Sequence, residues 1–257
     1  MKQIIVIMSV LLMSGDMTFA QKTPSIDTTL YIYLLMGQSN MAGRGKLTDE
    51  YKSISDPRVL MLTKSNEWVT AKHPMHFDKP VAAVGPGLSF GIAMADAHPG
   101  KKIGLVPCAV GGTSINKWIP GAFDPPTNSH PWDDAQIRIK ESMKHGIIKG
   151  VIWHQGESDS DADSSKIYLG RLSELIERVR NEVHNENLPF VIGELGRYKP
   201  EYHFINEVIM GLPEKVKNTA LISSEGLEHN GDGVHFDSES AIEFGKRYAK
   251  AMLTLSK

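Results

Sequence analysis

Two short segments near opposite ends of the chain contain the residue types needed for acyl transfer. Ser39 directly follows an apolar run that stops at Gly37, and Asp232 and His235 lie close together in a glycine-containing segment. A serine hydroxyl becomes a nucleophile when a histidine takes its proton, and a carboxylate fixes the tautomer of that histidine. The pattern therefore predicts a nucleophile at Ser39, a general base at His235 and an orienting acid at Asp232.

Taken singly, each segment also has an ordinary structural interpretation, because serine often caps helices and Asp-Gly is a common turn sequence. Catalysis is favoured because several polar segments follow predicted buried strands, and the carboxyl ends of parallel strands meet at one rim of a sheet. Besides Ser39, these segments contribute Gly111, Gly112, Gln155, Glu157, Glu194 and Glu225. The sequence therefore predicts a single site assembled at this rim.

The same rim offers donors for the oxyanion that forms during acyl transfer. A glycine pair ending at Gly112 lets backbone N–H groups approach a ligand closely, and Gln155 adds a side-chain amide. Glu157 is a second acid on this rim. It can orient His235 in place of Asp232, bind substrate or buttress the loop, and the spacing leaves these alternatives open.

The elements that position these residues alternate along the chain. Short apolar runs, often β-branched, predict buried strands at residues 31–36, 58–62, 103–110, 150–154, 190–194 and 220–223. Segments between them predict helices at residues 88–97, 133–145, 164–184, 202–210 and 238–255, the last capped by Ser238. This alternation predicts an α/β fold with a central parallel sheet and helices on both faces.

The composition suits a domain with a substantial core and little charge imbalance. The 257 residues are 41% hydrophobic, carry a formal net charge of −2 and include one cysteine, Cys108, which we expect to be a buried hydrophobe. This balance gives no attraction for nucleic acid or for an anionic membrane surface. The sequence has no Cys/His cluster of the kind that binds zinc. Residues 21–257 are predicted to form a single domain.

The first part of the chain resembles a targeting segment. Lys2 gives a positive start, residues 4–13 form a short apolar run, and a segment of mostly small residues ends at Ala20. This order is typical of a secretory signal peptide, here residues 1–20. We therefore expect the protein to be secreted or periplasmic.

Three further residues are candidates for substrate binding. Trp118 follows the glycine pair, and its ring either provides a flat platform for a sugar or packs the long loop. Arg44 comes just after the nucleophile segment and is expected to bind substrate or to brace the site. Gln38, directly before Ser39, is the third candidate.

Four segments, in this order, resemble the sequence blocks of the SGNH hydrolase superfamily, at residues 37–43, 110–113, 153–159 and 232–235. More narrowly, they resemble the sialate O-acetylesterase-like group, which includes the acetylxylan esterases of carbohydrate esterase family six. The resemblance implies a flavodoxin-like, three-layer α/β/α fold. It also implies that the N–H groups of Ser39 and Gly112 stabilise the oxyanion. Gln155 takes the place of the superfamily's usual asparagine as a third donor.

The resemblance implies a carbohydrate O-acetylesterase that works through an acyl-enzyme and needs no cofactor. The expected partner is an acetylated carbohydrate, either acetylated xylan or a related glycan, with an acetylated sialic acid as the alternative. A lipase or thioesterase on the same fold would need an apolar acyl groove. A carbohydrate-binding protein without turnover is the remaining alternative, and the presence of Ser39, Asp232 and His235 disfavours it.

Overall fold

The computed structural model of the protein describes residues 26–256, so the predicted signal peptide lies outside the described residues. Seven strands form one sheet in the spatial order β3-β2-β4-β1-β5-β6-β7. All neighbouring strands pair in parallel except the edge strand β3, which runs antiparallel to β2. The strands are β1 (Leu30–Gly37), β2 (Val59–Leu62), β3 (Trp68–Thr70), β4 (Lys102–Pro107), β5 (Ile147–His154), β6 (Phe190–Gly193) and β7 (Thr219–Ile222).

Helices cover both faces of this sheet, which gives three layers. The α-helices of the described residues are α1 (Ser39–Ala42), α2 (Asp49–Ser53), α3 (Gly87–Ala97), α4 (Pro131–Met143), α5 (Ser164–Glu182), α6 (His203–Met210), α7 (Leu212–Lys215) and α8 (Ser238–Leu255). The apolar sides of α4, α5 and α6 pack on one face of the sheet, and those of α3 and α8 pack on the other. None of the helices within residues 26–256 is long and apolar enough to span a membrane.

The central strand β1 divides the core in two. Successive side chains of a strand point to opposite faces, and accordingly Ile32 and Leu34 join the cluster beneath α4 and α5, whereas Tyr33 and Leu35 join the cluster beneath α3 and α8. All four are at most 1% exposed. Because both faces of β1 are buried, its carboxyl end is held rigidly where Ser39 begins the next element.

The predicted strands and long helices are present with small shifts at their ends; the short helices α1, α2 and α7 were not predicted, and three further local features differ. The edge strand β3 was not predicted, because three residues are too few to show an alternating pattern. Strand β4 ends at Pro107, earlier than predicted, as the chain turns toward the glycine pair. The cap of α8 is Asp237 instead of Ser238, since the Asp237 side chain accepts a hydrogen bond from the Ser240 N–H at 2.7 Å.

Replacing Gly37 tests how tightly the end of β1 is packed. Gly37 has φ +129°, and an added Cβ would overlap the backbone of His154 on the neighbouring strand. We expect Gly37→Ala to lower the free energy of unfolding by at least about 2 kcal/mol, because strain and overlap add. Urea unfolding measures this. Gly170→Ala is the matched control: in α5 nothing lies within 4 Å of an added Cβ, so stability should rise by about 1 kcal/mol. Equal effects of the two would contradict this account.

Candidate active site

The residues predicted to carry the chemistry meet at the carboxyl end of the sheet. Ser39 is the first residue of α1, which starts immediately after β1. His235 comes from the loop that precedes α8, and its Nε2 lies 3.0 Å from Ser39 Oγ although the two residues are 196 positions apart. The structure therefore brings the two segments into direct contact.

Asp232 completes this chain of contacts. Its Oδ2 lies 2.7 Å from His235 Nδ1, while its Oδ1 accepts hydrogen bonds from the backbone N–H groups of Val234 and His235, both at 2.8 Å. Partial burial works to raise the pKa of Asp232, but the hydrogen bonds from His235 and Val234 outweigh it and lower the pKa below its ordinary value. The carboxylate is therefore ionised at neutral pH, as an orienting acid must be.

Asn40, which the sequence analysis did not single out, fixes the position of the histidine loop. Its Oδ1 accepts a hydrogen bond from the Phe236 N–H at 3.0 Å, and its Nδ2 donates to the Val234 carbonyl at 3.1 Å. These bonds flank His235 on both sides and tie it to the residue next to Ser39. In the sequence, only the position of this polar residue directly after the serine indicated that Asn40 could matter. What Asn40 contacts is visible only in the folded chain.

Glu157 lies beneath this arrangement and does not contact His235. Its side chain is 5% exposed, its Oε1 accepts from Asn40 Nδ2 at 2.6 Å, and the same oxygen lies 3.5 Å from His154 Nε2. Burial alone would raise the pKa of Glu157, but the contacts with His154 and Asn40 lower it below the ordinary value. Of the two acids left open by the sequence, Asp232 is the one beside the histidine, and Glu157 buttresses Asn40.

Two backbone donors face the pocket beside Ser39. Within residues 26–256, the N–H groups of Ser39 and Gly112 have no hydrogen-bond acceptor. Gly112 has φ +86°, a conformation that glycine adopts readily. The N–H of Gly111, by contrast, donates to Asp78 Oδ2 at 2.9 Å. This arrangement leaves the N–H groups of Ser39 and Gly112 available to a developing oxyanion.

Gln155 differs from its predicted role as a third donor. The side chain is 1% exposed, and its Nε2 lies within hydrogen-bond distance of Gln38 Oε1, the Thr113 carbonyl and Asp159 Oδ2. Because an amide has two N–H bonds, both are used inside the protein. Gln155 therefore braces Gln38, Thr113 and Asp159 against one another. Its position at a strand end in the sequence does not indicate this role.

Asp159, which is 1% exposed, accepts the hydrogen bond from the Gln155 side chain. Its Oδ2 also accepts a hydrogen bond from the Ile115 N–H at 2.9 Å, which holds the loop after the glycine pair. Burial raises the pKa of Asp159 to about 6, and the bonds from Gln155 and Ile115 only partly offset this effect. Through Asp159, the loop bearing Gly112 is fastened to the end of β5.

The candidate substrate residues behave differently from one another. Gln38 lines the pocket, and its amide nitrogen has no acceptor among the described residues. Arg44 also lines the pocket, but it donates to Asp78 Oδ2 at 2.7 Å and to the Gly43 carbonyl at 2.7 Å, so it braces the site. Trp118 was predicted as a possible sugar platform, and this is wrong. It is 0% exposed and packs edge-on against Trp153.

The pocket in front of Ser39 is a cavity of about 390 Å³. Besides Ser39, His235 and Gly112, it is lined by Lys79, Lys199 and Tyr202. Neither lysine forms an ion pair with a carboxylate in the described part of the chain. No group of three or more His, Cys, Asp or Glu side chains in residues 26–256 is arranged to hold a metal ion. The site therefore joins a serine–histidine–aspartate chain to a small pocket that two lysines line.

A model of the family described as carbohydrate esterase, sialic acid-specific acetylesterase, matches residues 29–254. The chain belongs to this family. A probable carbohydrate esterase of Arabidopsis thaliana is 32% identical over 266 residues, which cover 93% of this chain and 98% of the plant protein. The crystal structure of that plant protein superimposes with a TM-score of 0.77 at 30% identity, over 87% of this chain and 98% of the plant chain.

More distant structures share the fold of this esterase family member. NanS aligns with a TM-score of 0.75 at 19% identity, over 90% of this chain and 98% of its own. A carbohydrate acetylesterase from Xanthomonas citri aligns with a TM-score of 0.69 at 18% identity, over 88% of this chain and 56% of its own. The predicted family resemblance and three-layer α/β/α fold are confirmed. As a member of this family, the protein is a carbohydrate esterase, a carboxylic ester hydrolase.

The geometry yields a prediction that separates the two acids. Asp232→Asn should lower kcat about 10³-fold or more, because an amide favours the wrong tautomer of His235. Glu157→Gln keeps an oxygen that accepts from Asn40, so kcat should fall less than about ten-fold. Steady-state hydrolysis of 4-nitrophenyl acetate measures both, with thermal unfolding to check that each variant is folded. A larger loss in Glu157→Gln than in Asp232→Asn would contradict the assignment of Asp232.

Proposed function

We propose that this protein is a serine O-acetylesterase that removes acetyl groups from a carbohydrate such as acetylated xylan or a related glycan through an acyl-enzyme. The observation that carries the proposal is the continuous set of contacts from Ser39 Oγ through His235 to Asp232, at 3.0 and 2.7 Å. A hydroxyl held by a histidine whose other nitrogen faces a carboxylate is the arrangement that activates serine.

In the first half of the reaction, Ser39 Oγ attacks the carbonyl carbon of the acetyl ester while His235 Nε2 takes the hydroxyl proton. The negative charge that develops on the carbonyl oxygen is stabilised by the N–H groups of Ser39 and Gly112. Asp232 stabilises the imidazolium that forms. When the tetrahedral intermediate collapses, the C–O bond to the sugar breaks, and His235 returns the proton to the departing sugar hydroxyl.

In the second half, water attacks the acetyl group bound to Ser39. His235 again takes the proton, the two backbone N–H groups again receive the oxyanion, and Ser39 leaves as a hydroxyl while acetate departs. Asn40 keeps His235 at the same distance through both halves, because it holds the backbone on either side of the ring.

Replacing the nucleophile tests this mechanism. Ser39→Ala should lower kcat about 10³-fold or more on 4-nitrophenyl acetate and on acetylated xylan, because no acyl-enzyme forms. With the unaltered protein, rapid quenching and mass spectrometry should find one acetyl group on the peptide that contains Ser39. Acetate release that survives Ser39→Ala would overturn the mechanism. No release by the unaltered protein from any ester, with sugar binding retained, would favour the binding protein without turnover.

A second candidate substrate, an acetylated sialic acid, is favoured by the charge of the pocket. Lys79 and Lys199 line it without carboxylate partners among the described residues, and Lys199 Nζ lies 5.3 Å from the centre of the Tyr202 ring. Two uncompensated cations attract an anionic ligand, and a sialic acid carries a carboxylate whereas xylan units are neutral. This feature supports an anionic sugar over a neutral one.

The lysines provide the test of this second candidate. If the substrate is a sialic acid, the double variant Lys79→Gln and Lys199→Gln should raise KM for an O-acetylated sialic acid about ten-fold, through loss of charge-assisted hydrogen bonds. KM for acetylated xylan should stay within about two-fold, since its units are uncharged. Lys250→Gln, at an exposed position in α8, is the matched control. An unchanged KM for the sialic acid would exclude this role of the lysines.

The cellular location of the protein is proposed from residues 1–20, which have the features of a signal peptide. A positive residue, an apolar run and a mostly small-residue segment ending at Ala20 support export to the periplasm or the outside of the cell.

A further inference from the structure

A second cavity, of about 400 Å³, adjoins the catalytic pocket on the same rim of the sheet. It lies beyond the ends of β2 and β4 and beside the start of α4. Its residues Asp78 and Val110 are the immediate chain neighbours of Lys79 and Gly111, which line the catalytic pocket. The two cavities therefore share a wall, residues 78–79 and 110–111, in which the Gly111 N–H donates a hydrogen bond to Asp78 Oδ2. Its volume lies within the range of small-molecule sites.

Two buried polar side chains that line this second cavity lack partners. His76 is 5% exposed; neither of its ring nitrogens makes a hydrogen bond of good geometry within residues 26–256, and the backbone of Leu35 is its nearest polar contact. The side chain of Asp78 is 1% exposed; its Oδ2 binds Arg44 and Gly111, while its Oδ1 has no partner in the same range. Leaving a buried polar atom unpaired costs free energy, so such groups indicate a ligand that supplies the missing hydrogen bonds.

The form of these two groups indicates a hydroxyl-bearing ligand. Burial lowers the pKa of His76 to about 4, so its ring is neutral at ordinary pH and offers one donor and one acceptor. Asp78 Oδ1 offers an acceptor only. A hydroxyl group both donates and accepts, so the hydroxyls of a sugar match the hydrogen-bonding capacity of both residues.

The charges around the second cavity favour a neutral ligand. The Arg138 guanidinium donates to the carbonyls of Leu62, Thr63 and Pro107 at 2.7 to 3.0 Å, so its charge is already committed to the protein. At the mouth, exposed Lys64 and Asp134 carry opposite charges. The buried guanidinium of this cavity therefore already has backbone acceptors, unlike the two lysines of the catalytic pocket.

We propose that the second cavity binds the sugar unit next to the acetylated one, so that the esterase acts on an acetyl group carried by an oligosaccharide. The proposal rests on the proposed function, because it takes the catalytic pocket as the place of the acetylated unit. A chain lying over the shared wall would place one sugar unit against Ser39 and the next against His76 and Asp78. Linked substrates would then gain binding that single sugars cannot.

The test compares single and linked sugars. For the unaltered protein, kcat/KM is measured in two series, each with a single and a linked sugar. The first compares O-acetylated xylose with O-acetylated xylotriose, and the second compares O-acetylated sialic acid with sialyllactose that carries the same acetyl group. Hydrolysis of 4-nitrophenyl acetate is measured as the control. We expect the linked substrate to exceed the single sugar at least ten-fold in one of the two series. Equal values in both series, with 4-nitrophenyl acetate still hydrolysed, would overturn the second-cavity proposal alone. Failure to hydrolyse any of the esters would instead overturn the proposed function.

A blocking variant locates the effect. Ile137 lies on α4, is 60% exposed and lines the second cavity, so Ile137→Trp fills the cavity without disturbing the core. We expect its ratio of kcat/KM for linked over single sugar to fall about ten-fold, chiefly through KM. Ile167→Trp, at a 46% exposed position on α5 away from both cavities, is the matched control and should keep the ratio. An unchanged ratio in Ile137→Trp, or an equal fall in both variants, would overturn the proposal; thermal unfolding shows that both are folded.

Discussion

The side-chain amide of Asn40 is the constraint on which the catalytic arrangement depends. Residues 39 and 235 are far apart in the chain, and a hydroxyl–imidazole contact by itself is too weak to hold a loop in place against its conformational entropy. Asn40 supplies hydrogen bonds to the backbone on both sides of His235. Since Asn40 follows Ser39 directly, the nucleophile and its base are positioned by the same short helix.

Buried polar side chains connect Asn40 to the core of the protein. Glu157 accepts from Asn40, and His154 lies beside Glu157 at the end of β5. On the other side of the pocket, Asp159 holds the Gln155 amide and the Ile115 N–H, which fixes the loop that presents Gly112. Polar groups at low exposure form strong, directional contacts when they are satisfied. The site is therefore preorganised for an oxyanion before substrate arrives.

The rim carries two cavities with different electrostatics. The catalytic pocket has two lysines without carboxylate partners in the described chain, whereas the adjoining cavity has its one buried guanidinium saturated by carbonyls. Asp78 links the two, because its Oδ2 anchors Arg44 and Gly111 of the catalytic pocket, while its Oδ1 has no partner within residues 26–256. A ligand in the second cavity would thus contact a residue that also positions the glycine pair.

The sequence by itself determined the parts of this protein that follow from local pattern. Apolar runs marked the six parallel strands because strands buried on both faces need no polar residues, and strand ends marked Ser39, Gly112 and Glu157 as rim residues. The spacing of Asp232 and His235 predicted an acid and a base, and the family resemblance implied the same roles. Only the tertiary structure decided that Asp232 and not Glu157 faces His235, that Asn40 holds the loop, that Gln155 braces and that Trp118 is buried. The physical reason is that the direction and burial of a side chain depend on partners distant in sequence. Residue type and local spacing do not specify those partners.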